Sequence, residues 1–211
     1  MASTASPYGL KAVNELGGLP YAGSTRTFLI DPAGYNTNIF NGSIVYVNTS
    51  GYINIVTTTG SNDSTNCFPI GTGSGAVTGA IGVFVGCSYY NAQGQLIFSQ
   101  YYPANTTGVV QAFVIDDDRT VFQAQSAGSV TQAALGANLY LNAVQSTSTG
   151  STTTGNSTSA LVAGSSAQTA AAAFRVVGFV NSTTSQVGDN FTDVLIKFNP
   201  SFHSYTVALG I

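Results

Sequence analysis

A chain of 211 residues with 6% charged side chains and a net charge of −3 has neither the clustered Lys and Arg that hold nucleic acid nor the low hydrophobicity of a disordered segment. Its 44% hydrophobic content is enough for one buried core, but it lacks the charged coat that keeps copies of a protein apart. Apolar runs such as "GAIGVFVG" and "AAAAFRVVGFV" fall far short of the roughly 20 residues that span a bilayer, so neither a nucleic acid nor a membrane is expected as partner.

Residues 1–24, "MASTASPYGLKAVNELGGLPYAGS", are broken by Pro7, Gly9, Gly17, Gly18, Pro20 and Gly23, while Tyr8, Leu10, Leu16, Leu19 and Tyr21 supply apolar anchors. They lack the positive start and apolar run of a secretory signal, which points to synthesis in the cytosol. A segment too broken to fold alone reads as an extended N-terminal arm, docked either on another surface or on its own domain.

A single β-rich domain is expected over 25–211. "TRTFLI" (25–30), "SIVYVNTSGYINIVTT" (43–58), "AIGVFVGCSYYN" (80–91) and "GQLIFSQYYP" (94–103) are rich in β-branched and aromatic residues. "GVVQAFVID" (108–116), "TVFQAQS" (120–126), "FRVVGFVN" (174–181) and "FTDVLIKFN" (191–199) continue the series. Each is short and bounded by turn formers, and Gly51 and Gly94 fit hairpin turns. Alternation in "SIVYVN" and "TDVLIKFN" predicts half-buried strands. The class is therefore all-β: an antiparallel barrel or sandwich, β-tulip or jelly-roll-like, with little helix. The one helix candidate is "SSAQTAAAAF" (165–174), which could equally be extended. Ahead of it, 145–159 is a polar Ser/Thr/Gly loop, either mobile or laid over a neighbour.

Candidate chemistry is sparse. Cys67 and Cys87 flank "GTGSGAVTGAIG" and read as small buried hydrophobes, with pairing left open. The Gly-rich run has neither dinucleotide spacing nor a P-loop Lys. Asp116, Asp117 and Asp118 begin a carboxylate cluster that could hold a divalent cation. Asp is also a preferred turn residue, and the solvated turn is the favoured reading, with Arg119 screening the repulsion. The closing "VLIKFNPSFHSY" holds Lys197 and His203, the one histidine of the sequence. There is no G-x-S-x-G elbow to make His203 part of a triad, and Glu15 is the one Glu, in the arm. No catalytic residue and no cofactor are expected.

Several segments carry a resemblance in order and wording: "YGLKAVNELGGLPYAGSTRTFLI", "GAIGVFVGCSYYN" then "FSQYYP", "VFQAQSAGSVTQAALGANLYL" before "FRVVGFV", and "VGDNFTDVLIKFNPSFHSY". From about Tyr8 to Tyr205 the chain resembles the small capsid decoration, or cement, proteins of tailed double-stranded-DNA bacteriophages of the marine and environmental type. The resemblance implies a virion protein on the outer capsid surface, bound to the major capsid protein at local symmetry axes, without enzymatic activity or cofactor. Self-association is expected with it, a homotrimer ahead of a dimer. The expected contact residues are Tyr8, Leu10, Lys11 and Tyr21 of the arm and Phe198, Phe202, His203 and Tyr205 of the closing segment. The loop at 145–159 departs from what a compact cement needs. Two other readings stay open: a tail or fibre component, and a carbohydrate-binding β-sandwich, although the latter usually relies on Trp platforms or Ca²⁺.

Overall fold

The computed structural model describes residues 4–56, 79–142, 150–162 and 172–206. In chain order the strands are β1 (Lys11–Glu15), β2 (Arg26–Ile30), β3 (Ile44–Val47), β4 (Ile53–Ile55), β5 (Gly82–Tyr90), β6 (Leu96–Ser99), β7 (Val110–Ile115), β8 (Thr120–Gln125), β9 (Asn138–Leu139), β10 (Leu141–Asn142), β11 (Ala160–Leu161), β12 (Phe174–Phe179) and β13 (Asp193–Phe198). Two short 3-10 turns, Gln132–Ala134 and Pro200–Phe202, are the helical pieces among the described residues.

The strands form two antiparallel sheets in a sandwich-like fold. The first runs β1-β8-β13-β12-β9 and the second β2-β7-β5-β3-β4, with β6 also paired to β5; β10 and β11 form a separate pair. No closed barrel forms among the described residues. Alternation is clean in β13, where Val194, Ile196 and Phe198 are buried and the residues between them half-buried. The pleat turns every second side chain to the same face, so such a strand has one core face.

The main core lies where the two sheets meet. Phe122, Val194, Ile196, Phe198 and Phe174 of the first sheet join Ile44, Val83 and Ile115 of the second. The ring of Phe198 packs 5.8 Å from Phe122 and 5.1 Å from Phe174, centroid to centroid. Burying each such ring contributes about 1.5–3 kcal/mol. The opposite face of the second sheet builds another cluster from Val45, Phe84, Val110, Ala112 and Val114, covered by Ile39 and Tyr102. Tyr102 is fully buried, and its hydroxyl lies 3.1 and 3.2 Å from the carbonyls of Tyr35 and Thr106. Its polar end is thus satisfied, as burial demands.

The chain passes from one sheet to the other at 116–119, between β7 and β8. Asp117 shapes this corner: its carboxylate accepts the Arg119 N–H at 2.8 Å and its carbonyl the Thr120 N–H at 3.2 Å.

The N-terminal segment docks on its own domain. Lys11 stands opposite Gln123 and Glu15 opposite Thr120, which makes β1 an edge strand of the first sheet. Leu10 is 2% exposed, in the main core. Of the two dockings the sequence left open, the intramolecular one is observed.

The described part of the polar loop, 150–159, likewise lies on its own chain. Asn41 N–H donates to the Gly155 carbonyl at 2.9 Å and Ser157 N–H to the Asn41 carbonyl at 2.8 Å, while Ser157 and Ser159 are buried. A polar segment can settle there because its hydroxyls and backbone pair locally. The helix expected over 165–174 falls largely outside the described residues, and its last residue, Phe174, opens β12.

Leu10→Ala is expected to destabilise the protein by about 2–5 kcal/mol, as for other buried Leu truncations. Urea unfolding followed by circular dichroism reads it, and an unchanged midpoint would mean that the arm is peripheral.

Candidate interaction surfaces

The residues expected to contact a partner divide by burial. Leu10, Phe198, Phe202 and His203 are 1–4% exposed and belong to the interior, so no partner reaches their side chains in this fold. The pleat of β13 turns Phe198 inward, and the Pro200–Phe202 turn carries Phe202 in after it. Lys11 is exposed, Tyr8 and Tyr21 are half-buried, and Tyr205 is 50% exposed.

Tyr205 belongs to a polar cluster at the inter-sheet corner. Its hydroxyl donates to Asp116 Oδ2 at 2.7 Å and accepts from an Arg26 guanidinium N–H at 2.8 Å. Arg26 Nε lies 3.1 Å from the same carboxylate oxygen. The partial burial of Tyr205 and the Asp116 carboxylate it faces push its hydroxyl up to about 12. Among the described residues the corner's ion-pair partner is thus Arg26, from a distant strand, whereas Arg119 bonds back to the Leu16 carbonyl at 3.4 Å. Asp116, Asp117 and Asp118 form a structured turn, and no group of three or more potential metal ligands converges among the described residues.

His203 sits behind this cluster, edge-on to Phe198 at 5.7 Å and to Tyr205 at 5.4 Å. Its Nδ1 accepts the Tyr205 backbone N–H at 3.3 Å, which leaves the proton of the neutral ring on Nε2. Nε2 is buried and makes no hydrogen bond of ordinary geometry, although the Asp116 backbone is near enough to favour the protonated ring. Burial pushes the imidazole below its ordinary range, against the pull of Asp118, Asp116 and Asp117. Backbone bonds of Ala80 to the Phe202 carbonyl and of Ser204 to the Ala80 carbonyl, 2.8 and 2.9 Å, fix the segment that carries it.

A second feature is a cleft of about 440 Å³ lined by Tyr8, Lys11, Asn41, Gln100, Gln123 and Asn156. At its side Tyr8 donates to Asp193 Oδ1 at 3.0 Å. Burial raises both groups, and the bond they share raises the tyrosine further while holding the carboxyl down.

Two sheet faces differ in charge. On the outer face of the first sheet, Arg175 stands directly opposite Lys197 and Lys11 opposite Gln123, which pairs in turn with Leu195. Three of the five cations that lie scattered in sequence are thus gathered on one face, together with one carboxylate, Asp193, on the same side of β13. Like charges placed opposite each other are mildly destabilising, and the Arg175 Nε–H relieves this in part by donating to Asn138 Oδ1 at 3.3 Å.

The second sheet carries an exposed face without any charge. Register places Leu29 opposite Gln111, Gln111 opposite Ser88 and Ser88 opposite Phe98, one row across β2, β7, β5 and β6. Tyr90 and Leu96 pair beside it. Phe98 is 72% exposed, Tyr90 and Val109 63%, Leu96 48% and Leu29 45%. Sequence reading found these strands but not this face, because nothing local tells which side of a strand stays uncovered. The available signal was the departure from alternation in "QLIFSQYY" and "TGVVQAF", where apolar residues fall on both faces.

Cys87 is buried, with its thiol pushed up to about 12 by burial, as the reading of a small buried hydrophobe expects; Cys67 lies outside the described residues. Comparison with known proteins adds no relative: no protein-family model, no curated protein and no solved structure matches the chain.

The buried imidazole makes stability depend on pH. A base whose folded value lies below its unfolded value binds fewer protons when folded, so stability falls as pH drops through 6.5 towards the folded value. Asp193, raised in the fold, acts with the opposite sign nearer the carboxylate range. Urea midpoints for the wild type should fall between about pH 8 and about pH 5.5, and His203→Asn should flatten that slope. Equal slopes would show that His203 is not the group responsible.

Proposed function

We propose that this protein is a structural virion component that binds the outer surface of an icosahedral phage capsid and stabilises it. The observation that supports the reading is the uncharged, exposed apolar face of β2, β7, β5 and β6. Soluble monomers rarely leave a group of large apolar side chains such as Tyr90, Leu96, Phe98 and Val109 to water, and such patches mark assembly surfaces. A coat of Ser, Thr, Asn and Gln with 6% charge favours packing among identical neighbours over dispersal. On a symmetric lattice, many weak contacts combine through effective concentration, so each copy need not bind tightly.

The shell-facing side in this proposal is the outer face of the first sheet with the neighbouring cleft. Lys11, Arg175 and Lys197 are there to meet carboxylates on the major capsid protein, and Tyr8 contributes contact area with a hydrogen-bonding tip. Tyr205 remains a surface candidate at the corner.

The test is co-sedimentation of the purified chain with capsids stripped of or lacking it, followed by cryo-electron microscopy of the loaded particles. The reading expects a fixed number of copies per shell, outside it, and a higher temperature of shell rupture. Lys11→Glu together with Lys197→Glu should lower occupancy by about tenfold without unfolding the chain. Absence of binding would overturn the reading, and capture of a glycan on an array would then favour the sugar-binding β-sandwich.

A further inference from the structure

We infer that the uncharged face of β2, β7, β5 and β6 is where two copies of this chain pair about a twofold axis. The inference deepens the proposed assembly role by naming the occupant of that face, and it rests on reading the face as an assembly surface.

The row Leu29–Gln111–Ser88–Phe98 has apolar ends and a polar middle. A patch that meets itself across a twofold axis does so reciprocally, each end of one copy against the other end of its mate. With the axis through the middle of the row, between Gln111 and Ser88, Phe98 of each copy lies against Leu29 of the other and Gln111 of each against Ser88 of the other. A primary amide and a hydroxyl each both donate and accept, so Gln111 of one copy and Ser88 of the other can satisfy each other. A groove of about 220 Å³ lined by Ser88, Tyr90, Leu96, Phe98, Val109 and Phe113 gives an aromatic ring of the second copy a seat.

Charge and area select the same occupant. Thr27, Leu29, Ser88, Tyr90, Leu96, Phe98, Val109, Gln111 and Phe113 are all uncharged, so the face calls for no partner of opposite sign and meets no repulsion from itself. Leu29, Tyr90, Leu96, Phe98 and Val109 together expose on the order of 500 Å². That is more than half of the ~800 Å² that each partner of a standard interface contributes, and the polar rim of the sheet adds to it. A face-to-face contact of this kind closes at two copies, which favours the dimer over the homotrimer expected ahead of it.

Sedimentation equilibrium of the full chain at about 1–50 µM tests this, with a dimer expected. Phe98→Asp and Leu29→Asp should each weaken the dimer by about tenfold or more with an unchanged circular dichroism spectrum. In a Cys67→Ser background, Gln111→Cys should be joined between the two copies by a bifunctional maleimide with a reach on the order of 10 Å, the spacing of sheets packed face to face. The buried Cys87 thiol, pushed up to about 12, stays out of that reaction.

A monomer throughout, a trimeric mass, or a dimer indifferent to both aspartates would overturn the inference. Capsid co-sedimentation reads the other proposal separately. A monomer that still loads onto shells loses the pairing and keeps the decoration role, and a dimer that ignores shells does the reverse.

Discussion

The close approach of Gly82 to the Ile115 carbonyl sets how β5 lies against the end of β7, the point where the chain leaves the second sheet for the first. A Cβ on Gly82 would collide with that oxygen and its carbon, so β5 can run beside the end of β7 only because residue 82 has no side chain. Directly beyond this contact the chain turns at 116–119 and enters the first sheet as β8. The main core forms around the same point, with Val83 and Ile115 from one sheet and Phe122 from the other. The corner is then tied from outside by Arg26, Asp116 and Tyr205, whose groups come from three distant parts of the chain.

A protein with so few charges depends on neutral hydrogen bonds to hold its loops. Asn48 accepts the N–H groups of Ser50 and Tyr52, at 2.9 and 3.0 Å, across one hairpin, and Asn91 accepts those of Gln93 and Gln95, at 3.0 and 2.9 Å, across another. Thr192 donates to the Asp189 carbonyl at 2.7 Å and accepts the Val130 N–H at 3.1 Å. The ion pair of Arg26 with Asp116 is largely exposed on the arginine side, where such pairs add little stability. Apolar burial and turn geometry are therefore the main sources of stability, and ionic strength should matter more to association than to folding.

The surface is divided between its two sheets. One presents Lys11, Arg175 and Lys197 on its outer side; the other presents aromatic and aliphatic side chains with no charge at all. An outward cationic face suits an acidic partner, whereas a neutral apolar face suits a copy of itself. In the decoration role proposed above, the first face is the one assigned to the shell and the second the one assigned to another copy.

The sequence by itself determined the β class and most strand positions, because period-two alternation and turn residues are local signals: "TDVLIKFN" and "NAQGQ" carry their own instructions. It also made Asp117 a turn residue, through side-chain chemistry that holds in any fold, whereas His203, expected at a partner contact, is buried. Only the tertiary structure decided that Leu10, Phe198 and Phe202 point inward and that β1 joins β8. It alone gathered Lys11, Arg175 and Lys197, and it alone left Leu29, Tyr90, Leu96, Phe98 and Val109 uncovered. Each of these depends on which strand lies beside which and on which sheet face another layer covers. Such pairings join residues up to more than a hundred positions apart, as Lys11 with Gln123, and no local pattern encodes them.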